Sequence, residues 1–363
     1  MRKLIHVILS LTARRARRAK QSHNVKKFVR LLRAKALAMT LIGFLLITHD
    51  LVLSPAVAES TPVIRPKIGL ALGGGGARGV AHIGVLRVLE RENIPIDNLV
   101  GTSAGAFIAA LYSGGVSPDE LEEYVLSGAI KKVYKTDFSM FRALFIHLNK
   151  VTHTFLGRPY YAGIYNDHRL QHFVNQSISK NDGSIELNVP LHIIAVDLIT
   201  GLPVVIKSGN VGLAVQASTA IPTLRQPIPI NDQLLVDGGV LKNIPVDEAK
   251  KMGSDVVIAV DVDAKMEQRN SKDFRSFQGV ITRVISLGLR AQSEHVIDKA
   301  DIVISPNLNG VSILDLDSVS LARAIKAGEE ATEKMIPKIR RKIEQKRAYL
   351  SSNGKKGLPS SSL

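Results

Sequence analysis

Short uninterrupted apolar runs alternate with longer stretches of helical spacing along most of the chain, separated by glycine- and proline-marked turns. Lys67–Leu72 (KIGLAL) predicts a first strand, which feeds Gly73-Gly74-Gly75-Gly76-Ala77-Arg78-Gly79 and then a largely apolar helix from Val80 to about Glu92. Pro95–Val100 predicts a second strand. It runs into Gly101-Thr102-Ser103-Ala104-Gly105 and then Ala106–Tyr112, which is small and apolar all round, as suits a helix buried on both sides. That helix stops at Gly114-Gly115. Ser117-Pro118-Asp119-Glu120 starts another, with serine at the N-cap, proline at N1 and glutamate at N3. Leu191–Leu198 (LHIIAVDL), Leu234–Val236, Val256–Asp261 (VVIAVD) and Asp301–Ser305 read as buried strands, with a hairpin from the first through Thr200-Gly201 to Val204–Ile206. Helices are expected at 211–219, from Pro245 to Gly253, at 278–299 and at 318–348, with a polar loop at 264–276. Strands and helices in alternation, with no internal repeat, predict one α/β domain: a mostly parallel central sheet flanked by helices.

Two stretches depart from this rhythm. Between about 127 and 182 the pattern loosens, and twelve of the chain's 17 Phe and Tyr fall between 107 and 173, with Lys131, Lys132, Lys135, Arg142, Lys150 and Arg158 among them. Such a segment suits a lipid-facing cap or an acyl pocket, or else a helical subdomain that packs its rings in its own core. At the N-terminus, residues 1–35 carry twelve Lys or Arg and no acid, and Ala36–Thr48 is apolar over about the length of a signal core. Ala56-Val57-Ala58 follows as a small-residue site, so the leader 1–58 reads as an export signal cleaved after Ala58. An uncleaved inner-membrane anchor, lengthened by Leu51–Leu53, and a basic tail with no export role are the alternatives. The serine- and glycine-rich end, 351–363, is expected to fray.

Charge changes the picture only at the leader. The whole chain carries +16, but the residues after 58 hold 36 basic and 31 acidic side chains, a net of +5. A mildly basic body does not point to nucleic acid. The absence of cysteine excludes disulfides, cysteine nucleophiles and thiolate metal sites.

Acyl hydrolysis needs a nucleophile, a base for its proton and donors for the oxyanion. Ser103 stands in G-x-S-x-G between a predicted strand and helix, where glycines Gly101 and Gly105 permit a turn too tight for side chains and expose the hydroxyl. Read alone, the pentapeptide is equally a turn whose serine caps a helix. Amides of Gly74, Gly75 and Gly76 can supply oxyanion donors, and Arg78 adds positive charge or braces the loop. Asp237, followed by Gly238 and Gly239 just past a strand end where the loops of a parallel sheet gather, is the candidate base; the other reading is an ordinary turn aspartate. The histidines fit less well. His82 lies a turn into a helix, His192 starts a strand, and His295 is mid-helix, so a Ser–Asp dyad is expected.

Three motifs in this order, GGGGARG, GTSAG and DGG, resemble the patatin-like phospholipases, and Gly79–Glu90, Asp197–Gly201, Ala217–Pro222 and Asp255–Val262 extend the likeness to the bacterial branch of that family. The resemblance implies a three-layer α/β/α fold, placed over 59–350; the aromatic-rich cap at 128–185 falls outside its motifs and rests on composition alone. It implies that Ser103 is the nucleophile, Asp237 its base, and Gly74, Gly75, Gly76 and Arg78 the oxyanion segment. It also implies lipid acyl hydrolysis with neither metal nor cofactor; a phospholipid or lysophospholipid substrate at a membrane surface is expected because the basic leader and the aromatic cap would both bring the protein to an anionic bilayer. Two rivals use the same residues. Gly74-x-Gly76-x-x-Gly79 with Asp97 matches a dinucleotide fingerprint, and an acyltransferase would share the dyad. A membrane-bound binding protein, working through its aromatic segment, is a third.

Overall fold

The computed structural model describes residues 65–134, 168–180, 185–222, 224–263, 270–314 and 316–354. The leader, most of the aromatic-rich segment and the end of the tail lie outside the described residues. All described residues fall within one unit that begins at Ile64.

The buried apolar runs become strands because each of their two faces meets its own helix layer. β1 (Ile68–Leu72), β2 (Asn98–Thr102) and β7 (Val256–Val260) are buried at every position. On β1, Leu70 and Leu72 enter the core formed with helices α1 (Ala81–Arg91) and α2 (Ala104–Ser113), while Ala71 faces the other layer beside Val246 and Ala249 of helix α7 (Val246–Lys251). Three layers result, as expected. Helix α3 (Pro118–Leu126) carries the anticipated capping box on Ser117 and Glu120. Helices α4 (Ala129–Tyr134) and α5 (Arg169–Ile178) are the described parts of the aromatic-rich stretch. Helix α6 (Val211–Ser218) falls where the pattern put it, and the C-terminal α9 (Ser318–Gly354) packs along α1.

Eight strands form one mixed sheet in the order β5-β6-β3-β2-β1-β7-β8, with β4 pairing β3 off that path. β3 (Leu191–Asp197), β2, β1, β7 and β8 (Ile302–Ile304) run parallel. β4 (Leu202–Ile206) and β6 (Gln233–Asp237) both run antiparallel to β3, and β5 (Ile228–Ile230), which the pattern did not show, is antiparallel to β6.

The direction of β6 corrects one expectation. Asp237 is not in a loop that leaves a parallel strand; it ends a strand that enters from beyond the sheet's C-terminal edge. Register explains how it still reaches that edge. Thr102 pairs with Ile194 and Asp237 pairs with Ala195, one residue further along β3, so Asp237 stops level with residue 103.

Candidate active site

Parallel neighbours β1 and β2 end side by side, so the glycine loop after Leu72 and the turn after Thr102 leave the same edge of the sheet. Ser103 occupies that turn at φ 53°, ψ −120°, a left-handed conformation rare for a residue with a side chain. The flanking glycines make it possible. A Cβ on Gly101 would lie 2.5 Å from the Ala106 Cα, and one on Gly105 would lie 2.3 Å from the Leu72 carbonyl oxygen. The Ser103 amide donates to Ser218 Oγ at 2.9 Å, and that hydroxyl donates in turn to the Ile194 carbonyl at 2.6 Å. Ser218, from the end of α6, thus pins the turn to β3.

Ser103 Oγ donates to Asp237 Oδ2 at 2.7 Å, and Asp237 Oδ1 accepts the Gly239 amide at 2.8 Å. Gly238 lets the chain turn away against the Ile194 carbonyl. Both side chains are buried, at 8% and 6% exposure. Burial pushes the Asp237 carboxyl up to about 6, against the opposing pull of the Ser103 and Gly239 hydrogen bonds. No described imidazole reaches either group. His82 is fully buried, with its Nε2 2.8 Å from the Gly73 carbonyl, and burial lowers it to about 4, so the ring is neutral and donates to the loop. His192 lies on β3 away from the cleft lining, and the side chain of His295 lies outside the described residues.

The glycine loop approaches Ser103 closely: a Cβ on Gly74 would sit 3.0 Å from that of Ser103. Its three candidate amides are not equivalent. Gly74 N–H is taken up by Asn243 Oδ1 at 3.1 Å, which leaves Gly75 and Gly76, at the head of a 3₁₀ turn (Gly76–Val80), to face an oxyanion. Gly76 holds φ 58°, and a Cβ there would lie 2.2 Å from the Ile313 carbonyl oxygen. Arg78 is buried behind the loop with Nε on the Val311 carbonyl at 2.8 Å; it braces the loop and does not line the cleft.

Asn243 is the residue the sequence reading passed over. Its Nδ2 donates to Asp263 Oδ2 at 3.1 Å and approaches Ser293 Oγ at 3.4 Å, while Ser293 Oγ donates to the same carboxylate at 3.0 Å. Asp263 is pushed up to about 7 by burial and by neighbouring Asp261, with Arg78 and Arg290 opposing the shift. A buried polar chain therefore runs from Asp263 through Asn243 to the glycine loop. Its signal was the asparagine six residues after Asp237, directly before Ile244-Pro245.

Around these groups lies a cleft of about 280 Å³. Its wall is aliphatic, from Ile221 and Pro222, from Val240, from Ile313 and Leu314, and from Ile285 and Leu289 of the helix α8 (Phe277–Ile297). Phe173 stacks on Phe107 and meets Tyr124 edge-on, with ring centroids 6.2 Å and 5.5 Å apart, and all three pack against the main core and not around the cleft. Asp97 of the dinucleotide reading lies at the opposite edge of the sheet, bound to Arg65 and to the Ile68 amide. Among the described residues, no group of His, Asp and Glu is arranged to hold a metal ion.

The family model described as patatin-like phospholipase matches residues 70–250. A lysophospholipase NTE1 of Candida albicans is 33% identical over 203 residues, which are 54% of this chain and 13% of that protein. A lysophospholipase nte1 of Aspergillus fumigatus is 34% identical over 199 residues, 54% of this chain and 12% of that protein. The chain therefore spans only a small part of the length of the curated relatives it matches. Among solved structures, VipD from Legionella pneumophila aligns over 76% of this chain and 67% of its own at a TM-score of 0.44 and 14% identity.

Proposed function

Because residues 70–250 form a domain of the patatin-like phospholipase family, we propose that the chain is a lipid acyl hydrolase that cleaves carboxyl esters of phospholipids or lysophospholipids. The observation that carries the reading is the 2.7 Å contact from Ser103 Oγ to Asp237 Oδ2 on the floor of an aliphatic cleft, beside two uncommitted glycine amides. Relatives named lysophospholipases favour a single-chain lipid among the substrates.

In this mechanism Ser103 Oγ attacks the ester carbonyl carbon and its proton passes to Asp237 Oδ2. The C=O bond opens to an oxyanion, which the Gly75 and Gly76 amides receive; their geometry is held before the reaction starts, so little reorganisation is needed. As the tetrahedral intermediate collapses, the ester C–O bond breaks and the leaving alkoxide takes the proton from Asp237. Water then enters, gives a proton to Asp237 and attacks the acyl-enzyme; the fatty acid leaves and the proton returns to Ser103. A carboxylate pushed up to about 6 is a better proton acceptor than an ordinary aspartate and is still ionised at neutral pH.

The leader belongs to the same proposal: residues 1–58 carry the protein across or into the inner membrane, and mature protein begins at Glu59. Sequencing the N-terminus of protein isolated from cell fractions tests this. The activity is tested by hydrolysis of short- and long-chain p-nitrophenyl esters and mixed phospholipids, in chelator, by wild type and Ser103→Ala. Loss of turnover in the variant with wild type indifferent to chelator is the expected result; equal activity in both would overturn the reading.

A further inference from the structure

Helix α8 carries two different surfaces on adjacent flanks. Ile285, Leu289 and Gln292 turn toward the cleft, and Gln292 Nε2 donates to the Val240 carbonyl at its rim. The neighbouring flank holds Val280, Val284 and Leu287, an i, i+4, i+7 row that is 43%, 61% and 47% exposed. Gly288, between the flanks, is exposed and lines the cleft at once. Val240 and Leu314 are likewise both exposed and cleft-lining, so exposed apolar groups stand at the rim of the cleft as well as on the row, with Gly288 between the two flanks of the helix. Single exposed aliphatics are ordinary, but a helical row beside an apolar opening marks an interaction surface.

We propose that this flank of α8, with the Val240 and Leu314 rim, seats on a phospholipid leaflet and hands acyl chains to the cleft. The proposal rests on the lipid-hydrolase reading. A protein partner on the row would lie across Gly288 and the rim and close the opening. A lipid leaflet covers the same row and enters through it. Exposed Lys272 and Arg275 beside exposed Phe274, at the foot of α8, supply the cations and the ring that suit the headgroup layer.

The full chain is tested with phosphatidylcholine–phosphatidylglycerol vesicles. Val284→Glu/Leu287→Glu removes two apolar contacts and adds like charge, so partition onto vesicles and turnover of vesicle phospholipid fall about 10-fold or more. Neither residue lines the cleft, so p-nitrophenyl butyrate hydrolysis stays within about 2-fold of wild type. The chain contains no tryptophan, so Val284→Trp in a Ser103→Ala background provides a single indole, and vesicles brominated along their acyl chains should quench it. Vesicle-bound protein with an unquenched indole, unchanged partition of the double-glutamate variant, or a wild-type dimer that the double variant dissociates would each overturn the proposal. If wild type hydrolyses no ester, the functional reading fails while the quenched indole still reports the surface. If hydrolysis persists and the indole stays silent, only the surface fails.

Discussion

At Ser103 and Asp237 the fold accepts local costs. A left-handed non-glycine residue costs on the order of 1–3 kcal/mol, and Asp237 is buried against its tendency to ionise. Because the folded-state carboxyl is pushed up to about 6 from an ordinary 3.8, the folded protein keeps a proton between about pH 4 and 6 that the unfolded chain has released. Wild-type stability therefore falls as pH rises through that window and levels off above it. Asp237→Asn has no proton to lose, so denaturant melts at pH 4 and pH 8 should show it gaining about 2 kcal/mol on wild type at the higher pH. The same variant should have no measurable esterase activity. Wild-type kcat/KM should rise with pH, reach half its plateau near pH 6 and stay flat to pH 8, because only the ionised base accepts the serine proton. Asn243→Ala removes the side-chain acceptor of the Gly74 amide, leaving only its longer bond to the residue-243 carbonyl, and strips Asp263 of a donor. Steady-state kinetics should show kcat down about 10- to 100-fold with KM little changed, as expected when a loop that meets the transition state loses its anchor.

At the scale of elements, α1 and α9 cross through two glycines. A Cβ on Gly84 would lie 2.1 Å from the Ile325 carbonyl oxygen, and one on Gly328 would lie 2.0 Å from that of Ala81. Arg87 fastens the same junction, to Glu329 at 2.6 Å and to Asp119 at 3.0 Å. Gly328→Ala should lower unfolding free energy by about 1–3 kcal/mol in urea, with dyad chemistry spared in the protein that remains folded. Element positions were largely legible because buried parallel strands read as plain apolar runs and glycines mark their ends, as at Leu72 and Thr102. Strand sense was not. β6 looks locally like any buried strand, and only its pairing with β3 makes it antiparallel. The part α8 plays was hidden for a similar reason: its apolar positions serve a core, a cleft and an open flank at once, so no single stripe stands out.

For the molecule as a whole, the three motifs of the candidate site were legible because each sets bare glycines at a fixed place beside a polar side chain. The bracing set, Ser218, Asn243, His82 and Asp263, was not, since ordinary polar residues acquire that task only through contacts spanning up to 169 positions. Among the described residues, no helix is long and apolar enough to cross a membrane. On the proposal that the leader serves export alone, protein from Glu59 onward should hydrolyse p-nitrophenyl butyrate at the rate of the full chain.

The register that brings Asp237 level with Ser103 also sets when the chain becomes reactive. Ser103 is synthesised 134 residues before Asp237, which is carried on a strand that pairs with β3. A nascent or unfolded chain, or a fragment ending before β6, has a serine but nothing to take its proton. On the proposed reading, the hydrolase is therefore inert until that edge of its sheet has closed.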